Sequence, residues 1–250
     1  MRPTGPCDRG PGNQCLTSMS GSLLIAWQLK DKHVLVVGGG EVASSRIQHA
    51  LAAGANVTVV SPVQGLNKET KSLIDAGSDN HIVFRDRTFV STDLDDMDMV
   101  LTAIDDVDLS RDIGTLCRAR RIPVNVADDP SYCDFYFGSQ IRQGPLQVMV
   151  STNGKSPKLA NIIRRRIEES IPKGAGEAIE KVGLVRERLK ERAPGVGGDV
   201  SKRRMKWMVD LCTSWELDDL ALLDDRQIER LLNEGWEKNI VPSREYVIGQ

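Results

Sequence analysis

Residues that could bind a phosphate lie where an apolar run meets a group of glycines. The run His33-Val34-Leu35-Val36-Val37 is followed by Gly38-Gly39-Gly40 and, three residues later, by Ala43. In the pattern Gly-x-Gly-x-x-Ala the first glycine permits a tight turn. The second lets a pyrophosphate approach the backbone, and the small third residue allows close helix packing. The N–H groups of the following helical turn would face the phosphates. The stretch predicts a dinucleotide site, although glycine turns after strands are common.

Aspartates that could accept a proton or contact a nucleotide follow two later apolar runs. Asp105-Asp106 comes after residues 99–104, and Asp128-Asp129 comes after residues 123–127. The carboxyl ends of parallel strands are where open α/β folds place ligands. We predict Asp105 as a nucleotide contact. An aspartate there could equally cap the next helix or form a turn, so these residues alone leave both roles open.

A parallel sheet is needed to bring these candidates together, and the sequence periodicity predicts one. Strands are expected at residues 33–37, 57–60, 81–84, 99–104 and 123–127, and helices at residues 42–53, 68–76 and 109–121. Gly54 and Gly77 are predicted to end the first two helices. Apolar strands that alternate with helices are typical of an α/β, Rossmann-like doubly wound parallel sheet.

The pattern changes after the fifth strand. Two β-rich runs that flank a turn predict an antiparallel hairpin, with segments at residues 135–141, 142–145 and 146–151. Ser156 is a predicted N-cap and Pro157 the first residue of a helix that runs to about Ser170. The remainder predicts helices at residues 174–193, 201–215 and 225–235, separated by a glycine-rich stretch at 194–198 and an acidic turn at Asp218-Asp219.

Composition excludes several classes of protein. Among 250 residues, 33 Lys and Arg balance 35 Asp and Glu, so neither nucleic acid nor an anionic membrane is expected as a partner. No apolar run approaches the roughly 18–20 residues that a membrane span requires. The five cysteines contain no Cys-x-x-Cys pair, which argues against a disulfide framework or a zinc site. This cysteine usage fits a reducing compartment, and we expect a cytoplasmic protein.

The first 22 residues are rich in Gly, Pro, Ser and Thr and lack the apolar core of a secretory signal. We expect a disordered tail and a fold that begins near Leu23. His33, His49 and His81 are not paired at ligand spacing, so no metal site is predicted. The expected division is a tail at 1–22, a nucleotide-binding domain at 23–138, a hairpin and helix at 139–172, and a helical domain at 173–250.

Three stretches together resemble the siroheme synthase family, whose members combine precorrin-2 dehydrogenase and sirohydrochlorin ferrochelatase activities. They are Val36-Val37-Gly38-Gly39-Gly40-Glu41-Val42-Ala43, Val124-Asn125-Val126-Ala127-Asp128 and Val150-Ser151-Thr152-Asn153-Gly154-Lys155-Ser156-Pro157. The string Cys133-Asp134-Phe135-Tyr136-Phe137-Gly138 and the helical tail are most similar to the stand-alone fungal form. The resemblance covers roughly residues 23–215.

The resemblance implies two reactions on a tetrapyrrole. NAD⁺ takes a hydride from precorrin-2 while a proton leaves, which yields sirohydrochlorin; Fe²⁺ then replaces two pyrrole protons to give siroheme. Both steps need a proton acceptor, and the family's catalytic aspartate corresponds to Asp128. Asp129 is an alternative, since either carboxylate could point inward. An aspartate that acts as a base near neutral pH is expected to be partly buried.

The resemblance also implies the binding residues. Together with the glycine turn at Gly38, Gly39 and Gly40, the NAD-contacting positions are Glu41, Val42, Ser61 and Pro62. Ser61 stands where many NAD-binding units place an acidic residue, and no arginine is close in sequence to receive a 2′-phosphate, which favours NAD over NADP.

The resemblance implies that the tetrapyrrole site is bordered by Ser151, Thr152, Asn153, Gly154 and Lys155. It also implies a homodimer formed through the hairpin and the following helix. Lys155, Lys158 and the run Arg164-Arg165-Arg166 could oppose the substrate's carboxylates, but three consecutive helical residues cannot all face one ligand. Two alternatives stay open, a dehydrogenase without chelatase activity and a regulatory NAD-binding module without catalysis.

Overall fold

The structure, a computed structural model, describes residues 22–76 and 81–249, and the chain divides into two compact units. The first unit ends at Tyr136 and the second begins at Phe137. The predicted tail, apart from its last residue, and the helix-ending Gly77 lie outside the described residues. The finer division at residues 138 and 172 stays a prediction.

The predicted strand, glycine turn, helix and second strand are confirmed. They are β1 (His33–Val37), α1 (Glu41–Ala52) and β2 (Asn56–Val60). The last four residues of each strand are buried, as expected for parallel strands covered on both faces. Gly54 follows α1 with φ +78°, the left-handed conformation that commonly ends helices.

The first unit contains a five-stranded parallel sheet in the order β3-β2-β1-β4-β5, which confirms the doubly wound fold. Its other elements are α2 (Lys68–Ala76), β3 (Ile82–Arg85), β4 (Met99–Thr102), α3 (Val107–Ala119) and β5 (Val124–Val126). Val37 of β1 lies between Val60 of β2 and Thr102 of β4. Since the strand order reverses at β1, the loops after β1 and β4 border the crevice in which such sheets bind ligands.

The first unit has one element that was not predicted and one helix boundary that differs from the prediction. Between β3 and β4 the chain forms a 3₁₀ helix, Ser91–Leu94, where the other crossovers have α-helices. Its Leu94 is buried against the sheet core with Val100 and Ile113, so this short element covers the sheet in place of a helix. Helix α3 begins two residues earlier than predicted because the Asp106 carboxylate accepts a hydrogen bond from the Leu109 N–H at 3.0 Å.

The second unit begins with the predicted hairpin, β6 (Ser139–Gln143) and β7 (Leu146–Val150). The connecting turn has only two residues, Gly144-Pro145, because Gln143 pairs directly with Leu146. Gly144 has φ +55°, and a positive φ followed by proline's fixed negative φ fits the type II′ turn that suits a hairpin. The predicted four-residue turn was therefore too long, and β6 starts later than expected.

A helix and a helical bundle complete the second unit. Helix α4 (Pro157–Ser170) begins as predicted, with the Ser156 hydroxyl accepting from the Leu159 N–H at 3.3 Å. The later helices are α5 (Ala175–Arg192), α6 (Gly198–Ser214), α7 (Leu217–Ala221), α8 (Asp225–Arg230), which continues as a π-helical turn at Leu231–Trp236, and α9 (Arg244–Ile248). The predicted acidic turn at Asp218-Asp219 is wrong, since both residues lie in the first turn of α7.

Tryptophans hold the bundle core. Trp207 and Trp236 contact edge to face with ring centroids 6.1 Å apart. The indole N–H groups of Trp207 and Trp215 donate to the carbonyls of Ile240 and Pro242 at 2.8 and 3.1 Å. The chain after the π-helical turn is thereby fixed to α6. None of the described helices has the length and apolar character needed to cross a bilayer.

Candidate active site at the carboxyl ends of the strands

The turn after β1 requires glycine at its first two positions because of backbone packing. Gly38 has φ +121°, and a Cβ atom there would lie 2.1 Å from the Ala103 carbonyl oxygen. At Gly39 a Cβ atom would lie 2.8 Å from the carbonyl oxygen of Gly65. Neither backbone atom can give way as a flexible side chain could. These two glycines are therefore explained by the fold alone.

Gly40 differs from its neighbours. No atom lies within 4 Å of where its Cβ would stand, and its φ of −78° is open to any residue. The fold does not require glycine here, but a phosphate approaching the backbone would. Gly40 is the N-cap of α1 and provides no side-chain hydrogen bond, so the N–H groups of the first helical turn remain available to an anion.

The predicted contacts Glu41 and Val42 are both exposed in this first turn. Their backbone N–H groups are the donors that such a helix start offers, so the arrangement fits a dinucleotide pyrophosphate. The contact itself stays a prediction. The Glu41 carboxylate interacts favourably with the positive end of the helix dipole, but it would repel a phosphate placed next to it.

The end of β2 carries the other two predicted cofactor positions. The Ser61 hydroxyl is buried and donates to the Pro62 carbonyl at 3.1 Å, whereas Pro62 is exposed. Because this hydroxyl already has an acceptor within the turn, any contact of Ser61 with a ribose would involve its backbone or require a side-chain rotation. Both contacts stay predictions.

Two arginines that are distant from Ser61 in sequence lie beside β2 in the structure. Arg85 ends β3 opposite Val60, and its carbonyl accepts from the Ser61 N–H at 3.3 Å. Its guanidinium and that of Arg87 both bind the carboxylate of Asp93, with Arg87 nitrogens 2.6 and 2.7 Å from the two oxygens. Arginine is thus present near β2 but is engaged by a buried carboxylate.

Asp93 is the most strongly paired carboxylate among the described residues of this unit. Hydrogen bonds from Arg87 come first among the causes that lower its pKa to about 2, and the Val90 N–H and Arg85 contribute in the same direction. Its side chain is fully buried, so the charge depends on these partners. We assign it a structural role in the crossover from β3 to β4.

At the end of β4 the two neighbouring aspartates have separate environments. Asp106 caps α3, which is the structural role that the sequence left open. Asp105 is exposed and precedes this cap. Its position at the crevice edge is the one expected for a nucleotide contact, and that contact stays a prediction.

Asp128 lies in a turn directly after β5. The Asp129 N–H donates to the Val126 carbonyl at 3.3 Å and closes the turn, and Asp128 itself has φ +61°. Its side chain is exposed in the chain, so the expected partial burial is not found. Within the described part of the chain, the Asp128 carboxylate makes no hydrogen bond or ion pair. Such a carboxylate is available to an incoming ligand.

Asp129 is occupied by neighbours. Its carboxylate accepts a hydrogen bond from the Ser131 hydroxyl and forms an ion pair with Arg111 at 2.8 Å. Hydrogen bonds from Ser131 and then Arg111 lower the pKa of Asp129. Of the two candidate bases, Asp129 is the one already committed to structural contacts.

Cys133 and Asp134 were noted in the sequence only as part of the string that resembles the fungal family members, and no role was predicted for either. The Cys133 sulfur and the Asp134 carboxylate occupy the outer edge of β5, where they accept from the N–H groups of Val126 and Val124 at 3.3 and 3.1 Å. They accept the hydrogen bonds that a neighbouring strand would accept if β5 were not at the edge of the sheet. Arg46 of α1 is a further neighbour. Burial lowers its pKa, while Cys133 and Asp128 act in the opposite direction.

The loop predicted to border the tetrapyrrole lies in the second unit and is largely exposed. Asn153 and Gly154 have φ +52° and +76°. The Ser151 hydroxyl accepts from the Asn153 N–H, and the Thr152 hydroxyl from the Ser156 N–H, both at 3.1 Å. The loop is thus a shaped turn that presents Lys155 to solvent. Substrate contact by these residues stays a prediction.

Of the basic residues after this loop, Arg164 is paired with Glu168 one helical turn away. This ion pair within α4 favours a structural role for Arg164 over contact with the substrate. Among the residues that the structure describes, no three His, Cys, Asp or Glu side chains cluster as metal ligands would. Cys117, Cys133 and Cys212 are free thiols.

The first unit is that of a Rossmann-type dinucleotide-binding protein. It has a parallel sheet, a glycine turn open at Gly40 in front of a helix start, and an unpaired carboxylate at the same end of the strands. Comparison with known families agrees: a family described as "Putative NAD(P)-binding" matches residues 25–139. Families described as "Sirohaem biosynthesis protein central" and "Sirohaem biosynthesis protein C-terminal" match residues 143–170 and 172–242.

Curated relatives extend the agreement. The chain is 54% identical over 213 residues to "Siroheme biosynthesis protein met8" of Schizosaccharomyces pombe, which covers 85% of this chain and 79% of the relative. It therefore belongs to the siroheme biosynthesis protein family. It is also 42% identical over 180 residues to "Siroheme synthase" of Thioalkalivibrio sulfidiphilus, which covers 72% of this chain but only 35% of that longer protein.

A solved structure shows the same fold. "SirC, precorrin-2 dehydrogenase" superimposes with a TM-score of 0.62 and 21% identity, covering 85% of this chain and 98% of that one. At 21% identity this similarity shows the fold alone. The predicted family is confirmed by the relative that is 54% identical.

Proposed function

We propose that this protein oxidises precorrin-2 to sirohydrochlorin with NAD⁺ in siroheme biosynthesis, and that Asp128 accepts the proton that leaves the substrate. The observation that carries the proposal is the available carboxylate of Asp128 at the same sheet edge as the open glycine turn. Membership of the siroheme biosynthesis family supports the substrate class.

In this proposal the turn after β1 binds the cofactor and the turn after β5 carries the proton acceptor. Gly38, Gly39 and Gly40 and the start of α1 would hold the pyrophosphate through backbone N–H groups. NAD⁺, when bound, supplies the hydride acceptor. Asp128 takes up the proton, so that loss of a hydride and a proton together oxidises the ring. The ion pair with Arg111 keeps the neighbouring Asp129 away from this task.

The preference for NAD over NADP has a physical basis in the first unit. A 2′-phosphate needs a free cation near the end of β2. Arg85 and Arg87 are the arginines at this end of the neighbouring β3, and both are bound to Asp93. Ser61 is not an acidic residue, so it does not add to the preference for NAD. The preference therefore depends on the pairing of both arginines with Asp93.

Insertion of Fe²⁺ into sirohydrochlorin is the second activity that we propose, with iron as a substrate. Since the ring nitrogens bind the metal, the protein must accept two protons and hold the ring. Asp128 is the proposed acceptor here too, and residues Ser151, Thr152, Asn153, Gly154 and Lys155 are the proposed ring contacts. The shaped loop with its exposed lysine suits a substrate that bears several carboxylates.

A homodimer formed through the hairpin and α4 is also part of the proposal. Helix α4 exposes three large apolar side chains, with Leu159 55%, Ile162 38% and Ile163 44% exposed. Such a group on one helix suits burial against a second copy of the chain. We expect Ile163→Glu to give a monomer by light scattering. Val209→Glu, at an exposed apolar site on α6, should leave the mass unchanged.

One assay tests the activities. The purified protein is incubated with precorrin-2 and NAD⁺, and NADH formation is followed before Fe²⁺ is added. NADH followed by the siroheme absorption spectrum supports both activities. NADH without iron insertion selects a dehydrogenase alone, and NAD⁺ binding without NADH would reduce the protein to a nucleotide-binding module. The proposed cytoplasmic location is tested by fractionation of cells that express the tagged chain.

A further inference from the structure

The turn that carries Asp128 has an unfavourable backbone conformation. Asp128 is its third residue, and its φ of +61° lies in the left-handed region. This region costs an L-residue about 1 kcal/mol, although aspartate tolerates it better than most. The single hydrogen bond across the turn, from the Asp129 N–H to the Val126 carbonyl, is long at 3.3 Å. Contacts from outside the turn are therefore needed to hold its shape.

The backbone supplies two of these contacts, from the Ala127 N–H to the Thr102 carbonyl at 3.0 Å and from the Tyr132 N–H to the Asp129 carbonyl at 3.1 Å. The Cys133 sulfur adds contacts at both ends of the turn. It accepts from the Val126 N–H at 3.3 Å, and it lies 3.1 Å from the Val126 carbonyl oxygen and 3.4 Å from that of Asp129. Val126 and Asp129 are the first and last residues of the turn. One thiol therefore joins the two ends of the segment whose exposed residue is Asp128.

The thiol has the protonation state that these contacts require. Burial raises the pKa of Cys133, so the group keeps its hydrogen near neutral pH. This one hydrogen can be donated to either the Val126 or the Asp129 carbonyl, and when Asp129 accepts it the Val126 N–H still donates to the sulfur. The Asn125 amide approaches the same sulfur at 3.4 Å and donates to the Phe135 carbonyl at 2.8 Å. Asn125 thereby links the strand to the cysteine and to the residue two positions after it.

The segment that carries Cys133 is itself fixed. The Asp134 N–H donates to the Val124 carbonyl at 2.8 Å, and its carboxylate accepts from the Val124 N–H at 3.1 Å. On the other side, the Cys133 N–H donates to the Pro130 carbonyl at 3.2 Å. The sulfur thus acts from a rigid support.

We propose that Cys133 is a positioning residue, whose thiol holds the Val126 to Asp129 turn in the shape that presents the Asp128 carboxylate to the substrate proton. The inference rests on the proposed function of Asp128 and extends it to a residue that touches neither substrate nor cofactor. A displacement of about 1 Å at a reacting group can cost a factor of up to 100 in rate, so loss of this support is expected to appear in kcat.

The test uses three variants of the full chain. Cys133→Val removes the donor and acceptor and adds one methyl group to the side chain, and Cys133→Ser keeps a polar group of similar size. Cys117→Val makes the same change at a fully buried cysteine in the core of the same unit. NADH formation from precorrin-2 is measured for each, with kcat divided by the number of NAD⁺ sites from a binding titration, so that unfolded protein does not count.

We expect Cys133→Val to lower kcat about tenfold while KM for NAD⁺ changes less than about twofold, because only the proton acceptor is displaced. Cys133→Ser should recover most of the loss. Cys117→Val should lower the melting temperature but keep kcat per site. In an Asp128→Asn background, Cys133→Val should reduce any residual rate no further.

The contrary results are distinct. If Cys133→Val keeps the kcat of Cys117→Val, or if serine recovers nothing, the positioning role is wrong while the proposed function stands. A wild-type protein that forms no NADH overturns both. A wild-type protein that is active together with an active Asp128→Asn variant refutes the role of Asp128, and the role of Cys133 with it.

Discussion

The turns that follow β1 and β5 lie at the same edge of one sheet and are stabilised in different ways. The first depends on the absence of side chains, since Cβ atoms at Gly38 and Gly39 would meet backbone carbonyls. The second depends on side chains outside the turn, above all Cys133 and Arg111. Backbone packing suits a site that binds through N–H groups. A turn that is held from outside while its carboxylate stays unpaired suits the proton acceptor that we propose for Asp128.

The largest expected effect separates chemistry from binding. Asp128→Asn removes the proposed base and should lower kcat for precorrin-2 oxidation by about 10³-fold, within the range for loss of a general base. The affinity for NAD⁺, measured by fluorescence titration, should stay within about twofold because the glycine turn is untouched. Asp96→Asn is the matched control, since Asp96 is also exposed with φ +61° but lies before β4. Equal rates for the two variants would remove Asp128 from the mechanism.

The next effect distinguishes two glycines of the same turn. Gly38→Ala places a Cβ atom 2.1 Å from a backbone oxygen at a φ that alanine avoids, and should cost about 3 kcal/mol or more in the free energy of unfolding. Gly40→Ala meets no atom and should change stability by less than about 1 kcal/mol. Urea denaturation measures both.

NAD⁺ binding completes this comparison. We expect Gly40→Ala to weaken NAD⁺ binding about tenfold or more despite its normal stability, because the methyl group occupies the approach of the pyrophosphate. If Gly40→Ala binds NAD⁺ as well as wild type, the glycine turn is structural only.

A third carboxylate sharpens the contrast with Asp128. Arg87, Arg85 and the Val90 N–H lower the pKa of Asp93 to about 2 from 3.8. A lowered carboxyl pKa stabilises the fold above the unfolded value, and this stabilisation is lost as the pH falls through the folded value. The shift corresponds to about 2 kcal/mol.

The free energy of unfolding, measured by urea denaturation between about pH 5 and pH 2, should therefore fall through protonation of Asp93. Asp93→Asn should lack about 2 kcal/mol of this decrease. Asp95→Asn, which breaks an exposed pair with Arg120, should change stability by roughly 0–1 kcal/mol and keep the pH dependence. An unchanged slope in Asp93→Asn would show that the acid sensitivity arises elsewhere.

The smallest expected effect concerns the end of β2. The Ser61 hydroxyl donates to the Pro62 carbonyl within its own turn. Ser61→Ala should therefore weaken NAD⁺ binding less than about threefold, a loss below the worth of one typical hydrogen bond. A tenfold loss in the same titration would mean that the hydroxyl turns to the ribose.

Sequence patterns predicted the elements that depend on local rules. The apolar run into Gly38, the left-handed Gly54 and the Ser156-Pro157 helix start all follow from the conformational limits of single residues, and all are confirmed. Local rules failed where packing decides. The burial of Leu220 in the bundle core makes a short helix of a segment that its charges predicted as a turn.

The candidate site shows the same division. Positions at strand ends could be read from the order of apolar runs, so Asp105 and Asp128 were placed at the correct edge. Local patterns do not separate Asp128 from Asp129, and only the family resemblance favoured Asp128. The pairing of Asp129 with Arg111, which is 18 residues away in sequence and 2.8 Å away in space, is visible only in the structure. The pairing of Arg85 with Asp93 beside β2 is likewise a tertiary contact that no sequence pattern predicted.

The sequence by itself determined the α/β fold, the nucleotide-binding turn and the family, since glycine sterics, hydrophobic periodicity and short motifs are local properties. Only the tertiary structure decided which glycines the fold requires, which aspartate is left available and which thiol supports it. Those answers depend on atoms that come together across the sheet, where a distance of a few ångströms determines whether a charge is paired or exposed.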